Sequence, residues 1–105
     1  MPQIIFAYIT TQNKTEAKKI GSALVKERLC ACVNIFSDMN SIYWWKGKME
    51  EANEAILIAK TTKNKFSKLS ARVKQLHSYE CPCILQIDIT DGNKEYVDWL
   101  ISNLK

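Results

Sequence analysis

Along this chain, short runs that are apolar at odd and even positions alike alternate with longer stretches whose apolar positions recur at helical spacing. Ile4-Ile5-Phe6-Ala7-Tyr8-Ile9 is apolar on both parities, the pattern of a strand covered on both faces or central in its sheet. Ala17, Ile20, Leu24 and Arg28 then form one stripe of a helix predicted over residues 14–29, opened by Asn13 with Glu16 three residues on, as in a capping box. Gly21 inside that helix costs about 1 kcal/mol of propensity against alanine, which a close approach to a sheet would justify. Ala31-Cys32-Val33-Asn34-Ile35 reads as a second strand, and the polar Ser37-Asp38-Met39-Asn40 as a bulge or loop before the apolar run resumes at Ile42. A third strand carries Ala55-Ile56-Leu57-Ile58-Ala59 and ends near Thr62. Phe66, Leu69, Val73 and Leu76 mark a second amphipathic helix, which must stop before Cys81 because Pro82 pushes that residue towards extended geometry. Cys83 to Ile89 is a fourth strand. Asp91-Gly92-Asn93 turns and caps a last helix whose buried side holds Tyr96, Val97, Leu100, Ile101 and Leu104.

The order βαββαβ plus a C-terminal helix predicts an α+β fold: a ferredoxin-like sandwich of one antiparallel sheet with helices on one face, an extended hairpin between strands two and three, and a single domain over residues 1–105. Such a sheet leaves its other face open. Because strands one and three are apolar on both sides, that face also calls for cover, which points to an oligomer.

The hairpin sharpens this. Ile42, Tyr43, Trp44 and Trp45 place large side chains on both faces of one strand, and Lys46-Gly47-Lys48 offers the turn, with Gly47 free to take a positive φ. The return leg runs about a dozen extended residues, roughly 40 Å at ~3.3 Å each. A domain of this size has a diameter of about 35 Å, so the hairpin should overhang its core. Two arrangements satisfy its tryptophans: burial against another copy, with Ile42, Trp44 and Trp45 as interface anchors, or folding back over its own sheet.

Composition narrows the function classes. One hundred and five residues, 47% hydrophobic and 25% charged, make one globular domain, and the net charge of +4 suits a mildly basic, solvated surface with no need of nucleic acid. The longest N-terminal apolar run is too short for a membrane span or a signal peptide, so a cytoplasmic protein that engages no membrane is expected. Cys30-x-Cys32 and Cys81-Pro82-Cys83 lack the two-residue gap of zinc knuckles and thioredoxin-like sites, and read first as small buried hydrophobes. An RNA-recognition role is disfavoured because strand three has no stacking aromatic. Acylphosphatase-like hydrolysis is disfavoured because residues 10–14 contain neither arginine nor glycine to cradle phosphate. No nucleophile, base and orienting group can be assembled from the sequence, and no enzymatic activity is expected.

Several strings in order, Ala31-Cys32-Val33-Asn34-Ile35, Ser41 to Lys48, Leu57-Ile58-Ala59-Lys60-Thr61-Thr62, His77-Ser78-Tyr79-Glu80 and Gly92-Asn93-x-x-Tyr96-x-x-Trp99, resemble the CutA family of divalent-cation tolerance proteins over essentially the whole chain. The resemblance implies a cytoplasmic homotrimer, architecturally related to PII signalling proteins, that responds to copper or another divalent cation without catalysis. Within it, Ser78 stands where the family has proline, Cys83 where it has glutamate, and Ile9 and Leu76 where some copper-linked members have cysteine and histidine.

Two chemistries are open. His77, Glu80 and Cys83 bring imidazole, carboxylate and thiol into one short segment, a mixture suited to copper or zinc if the loop curls or a neighbouring copy contributes. Alternatively, Asn34, Tyr43, Trp45, Lys60 and Tyr79, beside Glu80, line an inter-subunit pocket for a small ligand, with Lys60 supplying a cation for an anionic one.

Overall fold

The computed structural model describes residues 2–104. Strands β1 (Ile4–Thr11), β2 (Cys32–Trp45), β3 (Lys48–Thr62) and β4 (Ile84–Asp88) alternate with helices α1 (Lys14–Lys26), α2 (Phe66–Leu76) and α3 (Lys94–Ser102) in the expected order, and a 3-10 turn over Lys63–Lys65 leads into α2. The strands make one antiparallel sheet in the order β2-β3-β1-β4. Ala7 and Ile9 of β1 and Leu57 and Ala59 of β3 point to one face of it. There they pack with Ile20 and Leu24 of α1 and Leu69 and Val73 of α2 into the buried core. Gly21 lies against this face: a Cβ there would meet Leu57 Cδ1 and Val33 Cγ2 at 3.1 Å each. The glycine therefore answers a close helix-to-sheet approach, and its weak propensity is outweighed by what it lets α1 bury.

The ends of α1 show how local chemistry sets its length. Asn13 Oδ1 accepts the Glu16 N–H at 2.9 Å, the forward half of a capping box, but the Glu16 carboxylate returns to the Gln12 N–H at 2.9 Å instead of to Asn13. The helix stops at Lys26, short of the expected residue 29. Arg28 takes a left-handed φ of 58°, and its N–H bonds to Val25 O at 3.0 Å while Leu29 N–H reaches back to Leu24 O at 3.0 Å. That is a Schellman termination with arginine in the place glycine usually takes, so Arg28 ends the helix instead of continuing its apolar stripe.

The second face of the sheet is not wholly open, as the ferredoxin-like pattern alone suggested. Phe6 and Lys60 pair across β1 and β3 and point away from α1 and α2. Lys60 Nζ lies 5.6 Å from the Phe6 ring centroid and 3.2 Å from Tyr96 Oη, which places α3 over this end of the second face. The rest of that face stays apolar and uncovered within one chain, with Phe36, Leu85 and Ile87 exposed.

One irregularity governs the arm. Between Phe36 and Met39 the register of β2 against β3 slips by one residue, and Asp38 takes a φ of 62°. Before this bulge, Asn34 and Phe36 share the second face with Ile58 and Ile56. After it, Met39, Ser41, Tyr43 and Trp45 share that face with Glu54, Ala52, Glu50 and Lys48. Side chains alternate with a period of two, so one extra residue exchanges the faces of everything beyond it. Ile42 and Trp44 are thereby sent to the opposite side. Lys46 (φ 51°) and Gly47 (φ 81°) then form the two-residue turn that closes Trp45 onto Lys48. With 15 residues in β3 and principal extents of 45 × 25 × 23 Å, the hairpin overhangs the core as its length required.

Candidate ligand-binding cavity

Where the arm leaves the sheet, a cavity of about 640 Å³ opens between the second face and the segment joining α2 to β4. Its floor is Tyr8 and Thr10 of β1. The arm supplies Ser41, Tyr43, Trp45 and Glu54, all on the face selected by the bulge. Ser78, Tyr79, Glu80, Cys81 and Cys83 close the remaining side. The volume is within the range of small-molecule sites.

His77 anchors that closing segment. As α2 ends, His77 becomes extended (φ −80°, ψ 142°), its Nδ1 accepts the Tyr79 N–H at 3.0 Å, and its Nε2 lies 2.7 Å from Thr10 O. A carbonyl only accepts, so Nε2 carries the proton and Nδ1 spends its lone pair on Tyr79. The imidazole is a strut between β1 and the loop. Glu16 is the other tie: its Oε2 accepts the Ser78 N–H at 2.9 Å. Burial acts to raise the Glu16 carboxyl, but hydrogen bonds from Ser78 and from the Gln12 backbone hold it below its ordinary value.

Inside the cavity the polar groups are acidic or neutral. Glu54 is 7% exposed and accepts the Tyr79 hydroxyl proton at 2.6 Å, with no salt bridge to it among the described residues. Burial, together with the hydrogen bond to Glu54, pushes the Tyr79 phenol well above its usual range. Burial likewise raises the Cys83 thiol, and Glu54 and Cys81 add to the effect against hydrogen bonds with Thr10, so Cys83 is held protonated. Cys30, in the core, is pushed up to about 12 by burial and is a packing residue. All four cysteines are free thiols.

The sequence-derived site residues separate into groups. Tyr43, Trp45 and Tyr79 line the cavity together. Asn34 and Lys60 do not: the Asn34 amide is exposed and donates to the O of the preceding Val33, and Lys60 sits with Phe6 and Tyr96, six residues or roughly 20 Å along β3 from Glu54. Glu80 and Cys83 are on the cavity wall, but His77 turns both nitrogens elsewhere. Among the described residues no three His, Cys, Asp or Glu side chains gather closely enough to hold a metal ion. Of the three residues expected at an interface, Trp45 faces the cavity, whereas Ile42 and Trp44 lie on the opposite side of the arm. Glu54 was missed. Its signal was a carboxylate on the same parity as Ile56 and Ile58, where an apolar residue continues the pattern.

A four-stranded antiparallel sheet with two crossover helices, a third helix on its second face and an overhanging β2–β3 arm defines the class: a ferredoxin-like domain of the long-hairpin type. Residues 5–103 match the family model described as CutA1 divalent ion tolerance protein. The chain is 48% identical to the divalent-cation tolerance protein CutA of Thermus thermophilus over 90% of its own length and 92% of that protein's. Among solved structures it resembles CutA1 of Oryza sativa with a TM-score of 0.96 at 35% identity, over 99% of this chain and 95% of that one. It resembles a CutA of Archaeoglobus fulgidus, described as periplasmic, with a TM-score of 0.94 at 42% identity, over 97% and 99% of the two chains. The chain belongs to the CutA family of divalent-cation tolerance proteins.

Proposed function

We propose that this chain works in divalent-cation tolerance as a cytoplasmic homotrimer without catalytic activity, each arm completing its burial on a neighbouring copy. The observation that carries the reading is the outer face of the arm: Ile42 is 67% exposed, Trp44 74% and Met49 68%, an apolar surface that a lone chain leaves in water. Phe36, Leu85 and Ile87 on the uncovered part of the sheet offer the complementary surface. An arm laid on a neighbour's sheet is a head-to-tail contact, which closes into a ring, and three copies is the ring size the family resemblance implies. Free thiols, with Cys81 exposed, suit a reducing compartment. Copper or another divalent cation is then met by donors from more than one copy, since Glu80 and Cys83 supply two groups in one chain and His77 is engaged as a strut. Sedimentation velocity across a hundredfold range of protein concentration tests the assembly: a single species of three chains is expected, and a monomer with no larger species overturns the proposal.

The cavity favours a second reading, a PII-like small-ligand sensor. It is roomy, carries four aromatic rings and is built by three separate parts of the chain. Lys60 lies outside it, so the ligand chemistry differs from the anion that the sequence suggested.

A further inference from the structure

Among the described residues no lysine, arginine or histidine side chain lines the cavity, and two carboxylates do. Glu54 is the more telling of them. Its carboxyl group is almost wholly withdrawn from water, it has one hydrogen-bond donor in Tyr79, and among the described residues no cation stands within salt-bridge distance of it. A buried carboxylate in that state is compensated by an arriving positive charge. The rings of Tyr8, Tyr43 and Tyr79 line the cavity with it, and Trp45 lies at the far end, where it opposes Lys48 six residues along β3 from Glu54; aromatic faces attract a weakly hydrated cation. The chain's own ammonium already sits at the edge of this environment: Lys46 Nζ lies 5.6 Å from the Trp45 ring centroid and 3.8 Å from Glu80 Oε2. A bare metal ion would use little of the space or of the aromatic surface.

We propose that the cavity binds a small organic ammonium ion, a quaternary or protonated amine, with Glu54 as its counter-charge and Tyr8 and Tyr43 as its π-walls. This deepens the sensor reading and rests on the cavity being a ligand site. The shape of the site follows from the bulge, which puts Tyr43 on the face of the arm that carries Glu54 instead of on the opposite one.

Titration calorimetry on the full chain with choline, its uncharged isostere 3,3-dimethylbutan-1-ol, and butyrate tests it. Choline is expected to bind at least about tenfold more tightly than either of the others, the difference a counter-charge and π-contacts supply. Glu54→Gln should weaken choline binding about tenfold. Tyr43→Leu, at a partly exposed position and preserving apolar bulk, should weaken it several-fold with the sedimentation behaviour of the parent, so the proposal stays testable if the Glu54 variant fails to fold. Equal binding of the alcohol, or preference for butyrate, leaves the site standing and overturns the cation. Silence with all three overturns the inference and the sensor reading together, and leaves the trimer reading to its own test.

Discussion

The Tyr79 hydroxyl donates to Glu54 across 2.6 Å, joining the loop after α2 to the root of the arm. It is the donor that makes a buried carboxylate tolerable, and hydrogen bonds to charged groups contribute about 1.5 to 3 kcal/mol. Tyr79→Phe should therefore lower stability by about that amount in urea unfolding, and the same change made in a Glu54→Gln background should cost less. The phenol also carries a pH signature. Its folded value is raised above the usual 10.0, so its stabilising contribution is complete below pH 10.0 and declines as pH rises through the folded value. An absorbance titration should find one of the four tyrosines ionising late, with stability falling over the same alkaline range.

The two adjacent tryptophans should behave differently because they face opposite sides of the arm. Trp44→Glu puts a charge on the exposed outer face, so the free chain keeps its fold while the assembly is lost; sedimentation should report dissociation, and circular dichroism an unchanged strand signal. Trp45→Leu should leave the assembly intact.

Arg28→Gly should stabilise the chain by about 0.5 to 1 kcal/mol in urea unfolding, since glycine takes the left-handed conformation without Cβ strain. The loss to be offset is small: the Arg28 guanidinium makes an exposed 3.2 Å bond to Asn103 O.

Acid should loosen the cavity wall before it unfolds the domain. Glu16 has a folded value below its ordinary 4.5, so its contribution is present above pH 4.5 and is lost as pH falls through the lowered value. Hydrogen exchange at the Ser78 amide, which bonds to Glu16, should accelerate in that window ahead of the amides of β1 and β3.

Much of the architecture was legible because it rests on local patterns. Asn13 announces α1, Pro82 limits α2, and the double-sided apolar runs of β1 and β3 give the central strands. What resisted reading depends on contacts between distant residues or on one residue's backbone state. Nothing in the identity of Arg28 advertises a left-handed termination. The place of α3 on the second face is decided by Lys60 meeting Phe6 and Tyr96. The cavity was half visible: Tyr43, Trp45 and Tyr79 were found as aromatics in unusual places, but their grouping with Glu54 needs the bulge, and the engagement of His77 Nε2 needs Thr10, 67 positions away.

The Phe36/Met39 slip fixes how the arm can change length over time. Beyond it, residues can be added or lost in matched pairs, two per strand, each step moving the tip by about 7 Å while every side chain keeps its neighbours' company. A deletion of Asp38 alone would remove the extra residue and straighten the root of the arm, while Met39 still opposes Glu54 and Trp45 still opposes Lys48, so Tyr43 and Trp45 would keep the cavity side and Ile42 and Trp44 the outer one. Sequences built on this plan are thus free to vary in span and tightly bound in phase.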